Sequence, residues 1–514
     1  MPRLILLIVL FSLIVPSGCK TSDMNFQKLL GTDEPERPLI EKLNPQRTQA
    51  KAEEAARDAA AVNATAAPVP GIAIPEKALV AQRLTIGVAR NTELEEHLNA
   101  VLERLQAVWP GQPVPSCVFV RPSPEFRAFA QKNAIIVDYG LVRALESEDE
   151  LAAMLAHEYS HILLHHASLG DLGQCLSIAY GIYDIYNTVA FHSDGKTKSY
   201  ITKGIVSFAV DRMNQNAFIP IFSREQEEQA DALGADLLLR AGYSPMGVVA
   251  LLNRLESWET QQDEIKKELE LAEQKARNQK KGTDNATEMI NSLFTAAGDV
   301  INKLNREHYP PSERLAAVKE YIRTFYADIE RKEPLAESYQ AMKDSKPVKS
   351  LFSGLDEMEK AKMALYAGEL KEASRSIRST NCQALMPSVR YVRYLDRQIA
   401  LATGKAEIKT LEKDCKTPDP LLWEYEQLIG LYEKNRKLDE AVEVAETAFK
   451  DLDKTRALFP TLIRLNQKIG RSAQSISYLV ACRSAGDPGL SAMCSESAQT
   501  EQDTGYKSKK DAKL

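Results

Sequence analysis

Residues 148–166 read EDELAAMLAHEYSHILLHH. Leu151, Met154, Leu155, Tyr159, Ile162 and Leu163 recur at the period of an amphipathic helix, so one helix is expected over 148–166. Glu148, Asp149 and Glu150 put negative charge at its start, where the helix dipole favours it. Inside the helix, His157-Glu158-Tyr159-Ser160-His161 spells HExxH. Residues four apart share a helix face, so both imidazoles can reach one metal ion. Glu158 sits one step round, beside the metal, where it can take a proton from a water that the metal acidifies. Histidine is scarce, seven in 514 residues, yet four of the seven fall between 157 and 166, which sets this stretch apart from the rest of the chain.

A zinc ion held by two imidazoles needs one more protein ligand and an open position. Leu164 and Ala167 stand where a metzincin needs later Gly and His, so the third ligand must come from elsewhere. Residues 223–231, SREQEEQAD, read as the start of a second helix, with Glu227 and Asp231 four apart on one face. Glu227 is the expected third ligand. Asp231 is expected to accept the free ring N–H of a zinc histidine and so fix its tautomer. Val118-Phe119-Val120 and Ala134-Ile135-Ile136-Val137 are short strand candidates. If exposed at a sheet edge, Ile135, Ile136 and Val137 would hold an extended substrate through backbone hydrogen bonds.

HExxH at 157–161 followed by S-R-x-x-E-x-x-A-D at 223–231 resembles the zinc metalloprotease family that contains HtpX, the CAAX prenyl endopeptidases and the mitochondrial Oma-type proteases. The resemblance covers roughly 85–330. It implies a mainly α fold, a gluzincin-type protease domain with a small β-sheet, one Zn2+ per chain and endopeptidase activity. The family often carries one more His five residues after the second ligand, here His166, and an Ala-Phe-Ala pattern before a strand, here Ala128-Phe129-Ala130. Its His-Pro…Arg element is matched by His308-Tyr309-Pro310-Pro311-Ser312-Glu313-Arg314, with the His-to-Arg spacing kept and the Pro moved by one. The resemblance leaves three roles open: His308 and Arg314 stabilise the oxyanion, His308 caps the zinc, or both are structural.

The rest of the chain sets compartment and organisation. Arg3 precedes LILLIVLFSLIV at 4–15, then Pro16-Ser17-Gly18-Cys19. An apolar run this short reads as a secretion signal, and a small residue before cysteine resembles the bacterial lipoprotein processing site. Residues 1–18 are thus expected as a signal peptide, Cys19 as the lipidated N-terminus, and Lys20 favours an outer-membrane anchor facing the periplasm. Residues 19–79, Ala- and Pro-rich without apolar periodicity, are expected as a flexible tether.

The protease domain is expected over 80–335, with a charged helical insertion at 257–285. The apolar stretch 175–191 is expected to form a lid over the cleft. Residues 340–485 read as tetratricopeptide-like helical repeats: Gly368, Gly404 and Gly470 recur in similar contexts, and 421–450 is the clearest unit. The tail at 486–514 is expected to be disordered. This domain order is similar to that of the family's periplasmic beta-barrel assembly-enhancing proteases. It implies unfolded or misassembled envelope proteins as substrates, contact with the outer-membrane assembly machinery through the repeats, and the membrane as a further partner through the lipid.

A net charge of −6 offers no basic excess for nucleic acid. The six cysteines other than Cys19 allow 15 pairings. The closest in sequence are Cys482 with Cys494 and Cys382 with Cys415. The competing reading of the whole is a periplasmic chaperone or scaffold acting through its repeats with little proteolysis.

Overall fold

The computed structural model describes residues 38–43, 76–111, 114–131, 133–166, 222–261, 310–329, 334–366, 368–485, 488–500 and 502. Cys19, His308, the stretch 175–191 and most of the 257–285 insertion lie outside the described residues. The described residues are mainly helical with one small sheet, as expected.

The elements that build the site are α1 (Leu39–Lys42), α2 (Glu76–Arg83), α3 (Thr92–Ala107), β1 (Cys117–Arg121), β2 (Ala128–Gln131), β3 (Ala134–Asp138), α4 (Tyr139–Ala144), α5 (Glu148–Leu163), α6 (Arg224–Arg240) and α7 (Pro311–Phe325). The sheet has the order β1-β3-β2, with β1 parallel and β2 antiparallel to β3. Alternation of side chains divides it cleanly. Val118, Val120, Ile135 and Val137 face the main core with α3 and α5. Cys117, Phe119, Phe129, Ala134 and Ile136 face the other way, where Ala78 of α2 covers them.

β3 is therefore the middle strand, and this corrects the expected role of Ile135, Ile136 and Val137. All three are fully buried, and β3 is paired on both sides, so it has no free edge to offer a substrate. An uninterrupted apolar run is the pattern of a strand covered on both faces. The outer side of β1 is occupied as well. The Asn99 amide accepts from the Val118 N–H at 2.9 Å and donates to the Val118 carbonyl at 3.4 Å, while the Ala89 N–H donates to the Val120 carbonyl at 2.7 Å. Among the described residues, β2 is the strand whose outer edge carries no backbone bridge.

The tether is not flexible throughout. Leu39 and Ile40 are an apolar pair among charges, and Ile40 is buried against α6. The Ile40 N–H donates to Asp236 at 2.8 Å, the Leu39 N–H to the Tyr321 hydroxyl at 2.6 Å, and Arg240 pairs with Glu41.

Beyond 335 the described chain is helical: α8 (Ala336–Asp344), α9 (Lys346–Tyr366), α10 (Leu370–Ile377), α11 (Thr380–Leu385), α12 (Arg390–Ala402), α13 (Ile408–Cys415), α14 (Leu422–Lys434), α15 (Leu438–Asp451), α16 (Phe459–Lys468), α17 (Ser472–Arg483) and α18 (Pro488–Ser497). Gly368, Gly404 and Gly470 all have positive φ and end α9, α12 and α16. The residue after each donates five residues back, to Ala364, Ala400 and Asn466, the hydrogen bond of a glycine-terminated helix. Their recurrence thus marks helix ends.

The boundary expected near 335–340 falls inside one hydrophobic core. Tyr339, Leu351, Leu355, Met358, Val389 and Leu395 belong to the same cluster as Leu98, Val142, Leu151 and Leu155. A second cluster gathers α14, α15 and α16. Cys482 and Cys494 form a disulfide, whereas Cys382 and Cys415 are free thiols.

Candidate metal centre

α5 begins as its sequence demands. Ser147 caps it by accepting the Glu150 N–H at 3.2 Å. Its three acids also anchor the fold: Asp149 accepts the Ser244 N–H at 2.7 Å and the Leu335 N–H at 2.6 Å, and Glu148 accepts from Arg104 and the Tyr243 hydroxyl, each at 3.1 Å. α6 opens with a capping box, Ser223 and Gln226 each bonding the other's backbone N–H. It packs along α5, and at Gly234 the two backbones come close. A Cβ there would lie 3.1 Å from the His157 backbone nitrogen. That close approach brings Glu227 to the histidines.

The Nε2 atoms of His157 and His161 are 3.2 Å apart. Glu227 Oε2 is 3.5 Å from the first and Oε1 is 3.7 Å from the second. Ligands about 2.0–2.1 Å from a tetrahedral zinc would stand roughly 3.3 Å from one another, so this donor set fits that ion. His161 and Glu227 are buried, and His157 is partly open.

The other expected residues gather round this triangle. His157 Nδ1 donates to Asp231 at 2.9 Å, leaving Nε2 for a metal. Arg314 donates to both Asp231 oxygens, at 2.9 and 2.7 Å, and its Nη1 is 3.4 Å from Glu227. It bonds the carboxylates that hold the histidines.

Glu158 lies against β2 and accepts the Ala130 backbone N–H. Its Oε2 is buried without a hydrogen-bond partner among the described residues, an orphan acceptor beside the two imidazoles. Burial pushes Glu158 up to about 7, with Glu227 adding to the rise and His157, the Ala130 N–H and Arg314 opposing it. Burial, then Arg314, push His157 down, but its hydrogen bonds to Asp231 and Glu227 prevail and lift it to about 10. Burial also opposes ionisation of Glu227, yet Arg314 and the histidines hold it well below the usual carboxylate range. Burial keeps His161 well below its ordinary value, with His157 adding to the fall.

Sequence reasoning assigned nothing to Phe222, Gln229 or Gly234. Phe222 stacks on the His161 ring, centroids 3.7 Å apart. Gln229 meets His166, which in turn meets His161. These contacts arise from the crossing of two helices distant in sequence, and no local pattern marks them.

Residues 88–322 match the model of peptidase family M48. This region is similar to an M48 metallopeptidase domain. Metalloprotease LoiP of Escherichia coli (strain K12) is 26% identical over 165 residues, which cover 32% of this chain and 60% of LoiP. The chain thus spans three-fifths of the length of that relative. The M48 match takes in β1 to β3, α5, α6 and most of α7, so His157, Glu158, His161, Glu227, Asp231 and Arg314 all fall within it.

Proposed function

We propose that this protein is a zinc-dependent endopeptidase of the bacterial envelope that cleaves misfolded or stalled envelope proteins. The carrying observation is the placing of Glu158, with one unpartnered buried oxygen, beside His157, His161 and Glu227. The three ligand residues would hold the ion. Zinc there supplies Lewis acidity, acidifying a water and polarising a peptide carbonyl. Glu158 takes the proton of the attacking water and delivers it to the leaving amine. A dication beside Glu158 favours its ionised form, so the zinc-loaded base is active at neutral pH. Asp231 and Arg314 hold His157 and Glu227 in place.

The outer edge of β2 lies beside Glu158 and suits an extended chain held through its backbone, a mode with little sequence selectivity. Secretion and lipidation at Cys19 would carry the enzyme to the periplasmic face of the outer membrane. The Cys482–Cys494 disulfide favours an oxidising compartment. The helices after 335 would offer surface to the outer-membrane assembly machinery.

The test is chelation and restoration: unfolded casein incubated with zinc-stripped protein should stay intact, and one equivalent of zinc should restore cutting. Casein bound but uncut by the zinc-loaded protein would favour the chaperone reading instead.

A further inference from the structure

We propose that Gln229 is a positioning residue for His161: through His166 it fixes which ring nitrogen of His161 carries the proton. The proposal rests on the metal reading of the site. α5 ends at Leu163, and His165 takes the left-handed conformation, φ 50°, rare for a residue other than glycine. That turn sends the chain back, and the His166 N–H donates to the His161 carbonyl at 3.0 Å. The His166 ring then stands edge-on to the His161 ring, Nδ1 to Nδ1 at 2.9 Å, and its Nε2 lies 3.0 Å from Gln229 Oε1.

Each of these two contacts is made by one proton, so with both imidazoles neutral the chain of three side chains has only two polarities. In the first, the Gln229 oxygen accepts from His166 Nε2–H. His166 Nδ1 is then a lone pair and accepts from His161 Nδ1–H, which leaves His161 Nε2 bare. In the second, the Gln229 amide is turned over and donates. Every proton then shifts, and His161 Nε2 carries a hydrogen aimed at His157 and Glu227. Only the first polarity lets His161 bind a metal through the nitrogen that faces the other ligands.

The glutamine thus does for His161, at one remove, what Asp231 does directly for His157. Both come from α6. His161 is only 2% exposed and is stacked on Phe222, so its Nδ1 has no route to water as a substitute acceptor. Gln229 itself is half-buried, which leaves room for a charged replacement.

The experiment measures zinc affinity of the full chain by competition with a chromophoric chelator, in wild type, Gln229→Glu and Gln229→Lys. Glutamate can only accept and lysine can only donate, so the two impose opposite polarities. Gln229→Glu should bind zinc at least as tightly as wild type, and Gln229→Lys should bind ~10-fold or more weakly, the usual scale for losing such a partner. Equal affinities in the two variants, with wild type binding zinc, would overturn the relay while leaving the metal reading intact. A wild type that binds no zinc would overturn the metal reading itself. Should the lysine variant fail to fold, nitrogen-15 spectra of histidine-labelled, zinc-loaded wild type decide alone. His166 must show its proton on Nε2, and a proton on Nδ1 contradicts the proposal.

Discussion

Arg314 is the residue whose loss should reach furthest. It bonds both oxygens of Asp231 and approaches Glu227, all three nearly shut off from water. Arg314→Ala leaves two buried carboxylates short of a cation, and breaking a buried pair from one side costs about 3–5 kcal/mol. Denaturant unfolding of the zinc-free protein should show a loss of that order, shrinking when zinc is added because the dication replaces the missing charge. A loss under about 1 kcal/mol would place Arg314 outside the electrostatics of the site. At this scale much was legible in the sequence. HExxH sets two ligands and a base by helix periodicity, and Glu227 and Asp231 announce themselves by the same four-residue step. Phe222 and Gln229 were silent because a ring stack and a hydrogen bond across helices leave no mark on neighbouring residues. Arg314 was found by resemblance, without the contact that explains it.

At the scale of elements, the strand expected to bind substrate is the middle strand, paired on both sides. Ala134-Ile135-Ile136-Val137 is too uniformly apolar for an edge and β3 is buried along its whole length, whereas β2 begins at the half-buried Ala128. The Ala130 N–H points to Glu158, away from β3, and alternation along a strand gives Ala128 the same outward direction. Ala128→Pro removes that outward donor without touching the ladder to β3. It should raise KM for unfolded casein several-fold with thermal stability little changed; an unchanged KM would move the substrate off β2.

The docked segment at α1 makes a second prediction. Asp236 accepts from the Ile40 N–H and from the hydroxyls of Tyr321 and Tyr326, so it joins the N-terminal segment to α6 and α7. These donors favour the carboxylate, but burial outweighs them and lifts Asp236 from 3.8 to about 6. A raised folded-state value means that the folded protein binds this proton more tightly than the unfolded chain does. Asp236 therefore contributes full stability below about pH 4, and that contribution is lost as pH rises through 6. Comparing unfolding of wild type and Asp236→Asn, zinc-free, from pH 4 to 7 isolates it. The wild type should lose stability relative to the variant across that range, and parallel curves would show that Asp236 does not titrate there.

For the whole molecule, the division into a protease and a separate repeat region hides a shared core. Composition and helical period cannot show which helices pack together, and a boundary drawn from them fell between residues that touch. The Tyr339 hydroxyl donates to the Val142 carbonyl at 2.7 Å, and Ala89 bridges both Val120 and Val389. A chain cut after 335 exposes the buried side of α3 and α4, so it should be insoluble or fail to retain zinc. A soluble truncation with full zinc content would show that the two parts fold independently.

The central claim, that Glu158 works as a base beside a zinc held by His157, His161 and Glu227, is tested most directly by measuring metal content and casein cleavage together on the full-length Glu158→Gln protein. The amide keeps the shape and leaves every ligand in place. Zinc should stay at one per chain while turnover falls by ~10²–10⁴-fold, the usual share of general-base catalysis. A loss smaller than tenfold with zinc still bound would contradict the account.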